Sequence, residues 1–252
     1  MSDEGLEGIV FQSGGQQLIG TLFSAWGPGP KPTALLLHGL PEIEKNHDMA
    51  LFLRDHGWNS LIFHYRGCHG SAGAYNLETV PTDVRAALDV LCSGAYPQVD
   101  PGRLVLIGHS LGGWAALLAV LDEPRVRAVA ALAAASNPGA MVLEDLDAAA
   151  EITRFLQGIT PAALIAQWRG LGAPRTTPLA HVARIAPRPL LIVHGALDAV
   201  VPLAQSEALY AAAGDPRALI VHPEANHSFT RHRAWLFQTL LDWLSGLFQE
   251  PL

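Results

Sequence analysis

Three side chains of the types that carry out nucleophilic hydrolysis occur directly after apolar runs of the sequence: Ser110, Asp198 and His227. Ser110 stands at the centre of a G-x-S-x-G string, with an apolar run before it and a segment rich in small residues after it. A strand, this string and a helix together are typical of a sharp turn that presents a serine hydroxyl at the head of the helix. Backbone N–H groups there favour negative charge, and we therefore predict that Ser110 is a nucleophile.

A serine hydroxyl is a weak nucleophile at neutral pH, so it needs a base and a group that orients the base. Asp198 follows a buried-type run at residues 190–194, and His227 follows a second run at residues 218–222. Loops after parallel strands meet at the carboxyl edge of the sheet, where active sites of open α/β folds collect. Taken alone, His227 fits equally well as a loop histidine that caps the last helix. With the other two residues present, we predict that it is the general base and that Asp198 orients it.

Two backbone N–H groups are predicted to form an oxyanion hole, the set of donors that stabilises negative charge during acyl transfer. One is the N–H of Leu111, directly after the nucleophile. The other should come from the loop after the first parallel strand, which reads His38-Gly39-Leu40-Pro41. Because Pro41 has no N–H to donate, we predict the N–H of Leu40.

Hydrophobic periodicity predicts the elements that position these residues. The chain opens with a hairpin, whose two strands are separated by the turn signal Ser13-Gly14-Gly15. Apolar runs then alternate with helical segments, which is typical of a parallel sheet covered by helices on both faces. The predicted strands are 8–11, 17–23, 33–37, 59–65, 103–107, 126–134, 189–194 and 218–222; the predicted helices are 46–56, 80–91, 110–121, 203–213 and 231–247.

The alternation is interrupted between residues 137 and 186. Helical pieces at 144–156 and 161–168 are separated there by Gly and Pro, and the pattern predicts no strand. We therefore predict a core domain formed by residues 1–136 and 187–252, with residues 137–186 inserted as a helical cap.

Composition excludes several classes of partner. Half of the 252 residues are hydrophobic, which is enough for a sizeable core, and the formal net charge is −7 without any Lys/Arg cluster. Nucleic acid and anionic membranes require a concentrated basic surface, so neither is predicted as a partner. The acidic N-terminus and the short apolar runs predict a cytoplasmic chain without a signal peptide or membrane span. The 11 histidines show no metal-ligand spacing and the 2 cysteines no disulfide pattern, so no metal and no cofactor are predicted.

The motifs together resemble the α/β-hydrolase superfamily along nearly the whole chain. They are H-G-L at His38, Y-R-G at Tyr65, G-H-S-L-G at Gly108, H-G-x-x-D at His194 and N-H at Asn226. They are similar to those of small esterases, of feruloyl and cinnamoyl esterase-like enzymes and of the serine aminopeptidase-like branch. The resemblance implies the α/β-hydrolase fold, with a mostly parallel eight-stranded sheet, helices on both faces and a helical cap. A homodimer through the sheet edge and the last helix is compatible with it.

The resemblance also implies a two-step mechanism through an acyl-enzyme, with a small-molecule ester as substrate. Amide, peptide, thioester and acyl-transfer chemistry use the same triad and stay open as alternatives, and so does a non-catalytic binding role. The charged segment Pro41–Lys45 departs from the glycine-rich run of many esterases. Arg66 fits either a salt bridge to Asp83 or a site for a substrate carboxylate. The apolar cap residues Met141, Phe155, Leu156 and Trp168 fit either an acyl pocket or packing of the cap onto the core.

Overall fold

An eight-stranded sheet forms the centre of the computed structural model, which describes residues 5–41 and 46–248. Its order is β1-β2-β4-β3-β5-β6-β7-β8; β1 pairs antiparallel with β2 and β2 with β4, and all other neighbours are parallel. The predicted fold class is therefore confirmed. The strands are Leu6–Ser13 (β1), Gln16–Phe23 (β2), Lys31–Leu37 (β3), Asn59–Phe63 (β4), Val99–His109 (β5), Val126–Leu132 (β6), Leu190–Gly195 (β7) and Arg217–His222 (β8).

The helices cover both faces of the sheet, because the parallel strands are apolar on both sides. Helices α2, α3 and α6 pack with the residues of one face, and α1 and α7 pack with those of the other. The helices are His47–Asp55 (α1), Val80–Leu91 (α2), Leu111–Ala119 (α3), Leu146–Thr153 (α4), Pro161–Gly170 (α5), Leu203–Ala212 (α6) and Arg233–Leu247 (α7). No helix within the described ranges is both long enough and apolar enough to span a bilayer.

Strand β5 is longer than predicted and begins at Val99. Because Pro and Gly favour turns, the pair Pro101-Gly102 led to a predicted start of this strand at residue 103. In the structure the strand includes both residues. A register irregularity in the pairing with β3, between Lys31 and Thr33, accommodates the extra residues. Glu42 and the rest of the charged segment 42–45 lie outside the described residues.

Residues 137–186, all of them described, contain α4, α5 and four short 3₁₀ helices but no strand. The N–H of Gln157 donates to the carbonyl of Gly67 at 2.8 Å, and the N–H of Tyr75 donates to the carbonyl of Gln157 at 2.8 Å. Leu156 is buried, and Met141 and Trp168 pack against the core, whereas Phe155 is 39% exposed. Three of the four apolar residues considered for the acyl pocket thus hold this segment on the core. That the segment is a separate cap unit stays a prediction.

Arg66 is bound to Asp83 and not free for a substrate. Its Nη2 lies 2.6 Å from Oδ1 of the fully buried Asp83, and its backbone N–H donates to Oδ2 at 3.0 Å. The hydroxyl of Ser13 donates to the same carboxylate at 2.6 Å. A buried carboxylate needs such partners, and together they connect β1, the loop after β4 and helix α2.

Candidate active site

The turn at Ser110 brings three segments of backbone too close together for side chains. Ser110 has a φ of 55°, in the region that non-glycine residues rarely adopt, and α3 begins at the next residue. A Cβ on Gly108 would lie 2.2 Å from the carbonyl oxygen of Gly112, and a Cβ on Gly112 would lie 2.1 Å from that of Leu37. The glycines therefore allow the head of α3 to approach β3 and β5, which fixes the position of the Ser110 hydroxyl.

Substitution of Gly112 by alanine is expected to destabilise the fold by about 2–4 kcal/mol, because backbone atoms must move apart. Gly170 in α5 is the matched control, since a Cβ there would meet no atom within 4 Å. Gly170→Ala should be neutral or stabilising by up to about 1 kcal/mol, as expected in a helix. Urea unfolding of both variants tests the comparison. Equal stabilities would contradict the close approach.

Asp198 and His227 are joined by a hydrogen bond. Nδ1–H of His227 donates to Oδ2 of Asp198 at 2.8 Å, and the Asp198 side chain is fully buried. Its other oxygen, Oδ1, accepts the backbone N–H groups of Val200 and Val201, each at 2.8 Å. These two bonds hold the carboxylate plane in place. Because His227 uses Nδ1 as the donor, its Nε2 has the free lone pair that a general base needs.

His194 is a further partner of Asp198, and our sequence reasoning gave it no role. Its Nε2 lies 3.3 Å from Oδ2 of Asp198 and 2.9 Å from the carbonyl oxygen of Val201. Its Nδ1 lies 2.7 Å from the hydroxyl of Ser206 in α6, and the ring is fully buried. The i, i+4 spacing of H-G-x-x-D was the available signal. His194 therefore contacts the same carboxylate oxygen as His227 and helps to hold it in place.

These contacts determine the charge of Asp198. Burial by itself raises the pKa of this carboxyl, but the hydrogen bonds from His194 and His227, with help from the Val201 N–H, hold it well below its ordinary value. Asp198 is therefore a carboxylate throughout the neutral range, which is the state that orients an imidazole and stabilises its positive form.

A lowered pKa in the folded state makes stability depend on pH in a defined direction. The Asp198 carboxylate contributes fully to the stability of the fold above its pKa in the unfolded chain, about 4. This stabilisation disappears as the pH falls through the lower pKa of the folded state. We expect the free energy of unfolding of the wild type to exceed that of Asp198→Asn by about 1–3 kcal/mol near pH 7. This difference should become smaller below pH ~4. Urea unfolding at several pH values measures it. Asp215→Asn, at an 85% exposed carboxylate, should show no such narrowing, and a constant gap for Asp198→Asn would contradict the prediction.

His109 connects the turn at Ser110 to the loop that holds His227. Nε2 of His109 lies 2.8 Å from the backbone carbonyl oxygen of His227, and the two imidazole centroids are 4.7 Å apart. Within the described residues, no hydrogen bond joins the Ser110 hydroxyl to His227. In free enzymes this contact is often long and shortens when substrate binds.

Ser110 and His227 line one cavity of about 130 Å³. Leu40, which carries one predicted oxyanion donor, lines the same cavity, and Leu111 with the other donor is the first residue of α3. The structure thus brings all five predicted residues to one edge of the sheet. Across the described residues, no group of three or more His, Cys, Asp or Glu side chains is arranged to bind a metal ion. The remaining lining residues are Gly39, Pro41, His109 and Ser228.

The chain matches a known protein family over most of its length. The model of the prolyl oligopeptidase family matches residues 46–251. The chain belongs to this family. An uncharacterized relative, YfhR of Escherichia coli O157:H7, is 29% identical over 210 residues, which cover 81% of this chain and 66% of the relative. This member of the prolyl oligopeptidase family therefore spans just under two thirds of that relative's length.

Solved structures with the same fold are α/β hydrolases. The 2,6-dihydroxy-pseudo-oxynicotine hydrolase has a TM-score of 0.78 at 20% identity, and the match covers 96% of this chain and 67% of that one. Est1E from Butyrivibrio proteoclasticus, with ferulic acid bound, has a TM-score of 0.75 at 20% identity, covering 96% of this chain and all of that one. At these identities the likeness shows the fold. Fold and family together support a serine hydrolase of the α/β-hydrolase superfamily.

Proposed function

We propose that this protein hydrolyses carboxylic esters of small to medium acyl or aryl groups, with Ser110, His227 and Asp198 as its catalytic triad. The observation that carries the proposal is the 2.8 Å contact of His227 with the buried Asp198, at the cavity that Ser110 also lines. A base oriented by a buried carboxylate, beside a serine at the head of a helix, suits acyl transfer.

In the first step, Nε2 of His227 accepts the proton of the Ser110 hydroxyl while its oxygen attacks the ester carbonyl carbon. The carbonyl π electrons move to the oxygen, and the N–H groups of Leu111 and Leu40 donate to the resulting oxyanion. When the tetrahedral intermediate collapses, the bond to the alcohol oxygen breaks and His227 gives its proton to the leaving group. The product of this step is an acyl ester on Ser110.

In the second step, His227 accepts a proton from a water molecule whose oxygen attacks the acyl carbon. Collapse of the second intermediate releases the carboxylic acid and returns the proton to Ser110. The Asp198 carboxylate stays ionised throughout and stabilises the imidazolium of each intermediate. His194 and the N–H groups of Val200 and Val201 keep this carboxylate in place.

The cavity at Ser110 predicts a preference for short acyl groups, since 130 Å³ lies below the volume typical of drug-sized ligands. We expect kcat/KM for p-nitrophenyl acetate and butyrate to exceed that for the laurate by about tenfold or more. Initial rates across the chain-length series test both the activity and the preference, with Ser110→Ala correcting for uncatalysed hydrolysis. Activity that rises steadily to the laurate would contradict the predicted size limit, and an inactive folded protein would count against the ester reaction itself.

An amidase or peptidase is the second candidate, because the family to which the chain belongs is described as one of oligopeptidases. Thioester hydrolysis and acyl transfer would use the same steps with another leaving group or acceptor. A panel of aminoacyl p-nitroanilides, acyl-CoA and p-nitrophenyl esters separates these reactions, because leaving group and pocket contacts set the ratio of kcat/KM values. If the protein is a non-catalytic binding protein, it should hydrolyse none of the substrates in this panel. The proposal includes a small-molecule substrate and a cytoplasmic location.

A further inference from the structure

A second cavity, of about 460 Å³, lies between helices α2 and α3 and the 3₁₀ helices that precede β7. None of its lining residues lines the cavity at Ser110. Its volume falls within the range of about 300–1,000 Å³ that is usual for small-molecule sites. The proposed reaction uses no residue of this cavity.

One wall of the cavity is apolar and fixed. It is formed by Pro81 of α2 and by Trp114, Leu118 and Leu121, which follow Ser110 along the chain. The indole Nε1–H of Trp114 donates to the carbonyl of Thr176 at 2.7 Å, which holds the opposite wall against α3. The cavity therefore offers an apolar surface to a ligand on the side of α3.

The rim is cationic, although the whole chain is acidic with 16 Lys and Arg against 23 Asp and Glu. Arg85, Arg175 and Arg184 reach it from three separate segments, while Glu78 and Asp122 are its acidic members. Of the lining residues, only His181 adds a further titratable group, and its Nε2 faces the carbonyl of Pro174 at 2.8 Å.

The acidic members neutralise the arginines only weakly. Arg184 lies 3.3 Å from Asp122 and Arg175 lies 3.9 Å from Glu78, and all four side chains are more than half exposed. Exposed pairs of this kind contribute little, so a ligand anion can compete for the arginines. Arg85 donates to the Thr82 hydroxyl at 3.2 Å, and the Glu123 carboxylate that interacts with Arg85 through space is hydrogen-bonded by Arg125.

We propose that this cavity binds a small aromatic carboxylate. The aromatic body lies against the apolar wall at Leu118 and Leu121, and the carboxylate binds the guanidinium groups at the rim. Arginine suits this role, because its planar group donates two parallel hydrogen bonds to one carboxylate. A neutral ligand of the same shape would gain the apolar contact alone.

Calorimetric titration with 2-naphthoate tests the site, with 2-naphthamide as the neutral ligand of matched shape. The expected Kd for 2-naphthoate is about 1 mM. We expect the double variant Arg85→Gln/Arg184→Gln to raise the Kd for 2-naphthoate about tenfold. Glu78→Gln should lower this Kd by a factor of about 3, because Glu78 competes with the ligand for the arginines. Arg154→Gln, at an exposed arginine outside the cavity, should leave the Kd unchanged.

Three outcomes would overturn the proposal. No heat of binding for 2-naphthoate well above the expected Kd would show that the cavity does not take this class of ligand. Equal affinity for 2-naphthamide would show that the arginines do not recognise the carboxylate. A Kd that changes as much in Arg154→Gln as in the rim variants would show binding by general surface charge. Circular dichroism of each variant confirms that it is folded.

Discussion

Replacing Ser110 with alanine is expected to lower kcat for p-nitrophenyl butyrate by about 10⁴-fold or more, to a rate set by the remaining binding contacts. The alanine has no hydroxyl for His227 to activate, so the acyl-enzyme cannot form. KM should change little, because the hydroxyl contributes to the reaction more than to binding of the ester. The fold should be retained, since the substitution removes one atom at the surface of a cavity.

A fluorophosphonate probe measures the same prediction without a substrate. We expect it to modify the wild type at Ser110 only, as located by mass spectrometry of the digested protein, and to leave Ser110→Ala unmodified. Ser228→Ala is the matched control, because Ser228 lines the same cavity and should leave the labelling unchanged. Labelling that persists in Ser110→Ala would assign the reactive hydroxyl to another residue, and no labelling of the folded wild type would favour the binding role.

Asp198→Asn is expected to lower kcat by about 10³- to 10⁴-fold with little change in KM. In the wild type, the carboxylate accepts from Nδ1 of His227, which leaves the lone pair of Nε2 available for the proposed role as base. An asparagine amide directed at the imidazole would donate to Nδ1 and place the ring proton on Nε2. A protonated Nε2 has no lone pair with which to accept the serine proton. The effect is therefore on the chemical step and not on the ester contacts.

Asp215→Asn provides the control for this prediction. Asp215 lies in the turn before β8, whereas Asp198 follows the parallel strand β7, and the exposed Asp215 carboxylate lies 3.6 Å from Arg217. We expect its kcat and KM for p-nitrophenyl butyrate to stay within about twofold of the wild type, as is usual for a surface substitution away from the site. A large loss of kcat in Asp215→Asn, with Asp198→Asn active, would exchange the roles of the two acids.

The hydrophobic runs predicted the sheet because the strands β3, β5, β6 and β7 are buried on both faces and read as short continuous apolar segments. The positions of Ser110, Asp198 and His227 relative to these strands followed from the same pattern. A carboxyl-edge location needs only the order of strands and loops, which is a local property of the chain. The sequence could therefore place the three residues at one edge of the sheet.

Contacts between distant segments could not be predicted in the same way. His194 reads as the end of a buried strand, and its position beside Asp198 depends on how the loop after β7 folds back onto α6. The contact of His109 with the carbonyl of His227 joins residues that are 118 positions apart. Periodicity contains no information on such distances. For Arg66, charge and spacing left two roles open, and the buried position of Asp83 decided between them.

The order of the strands in the sheet has a consequence for how the protein folds. Strand β5 and helix α3, which hold Ser110, lie in the first half of the chain, whereas Asp198 and His227 follow the two strands at one border of the sheet, β7 and β8. Parallel pairings of this kind form late, because long stretches of chain must be ordered before they close. In the proposed mechanism, a chain whose β8 has not yet joined the sheet has Ser110 without its base. We therefore expect hydrolytic activity to appear only once β8 has paired with β7.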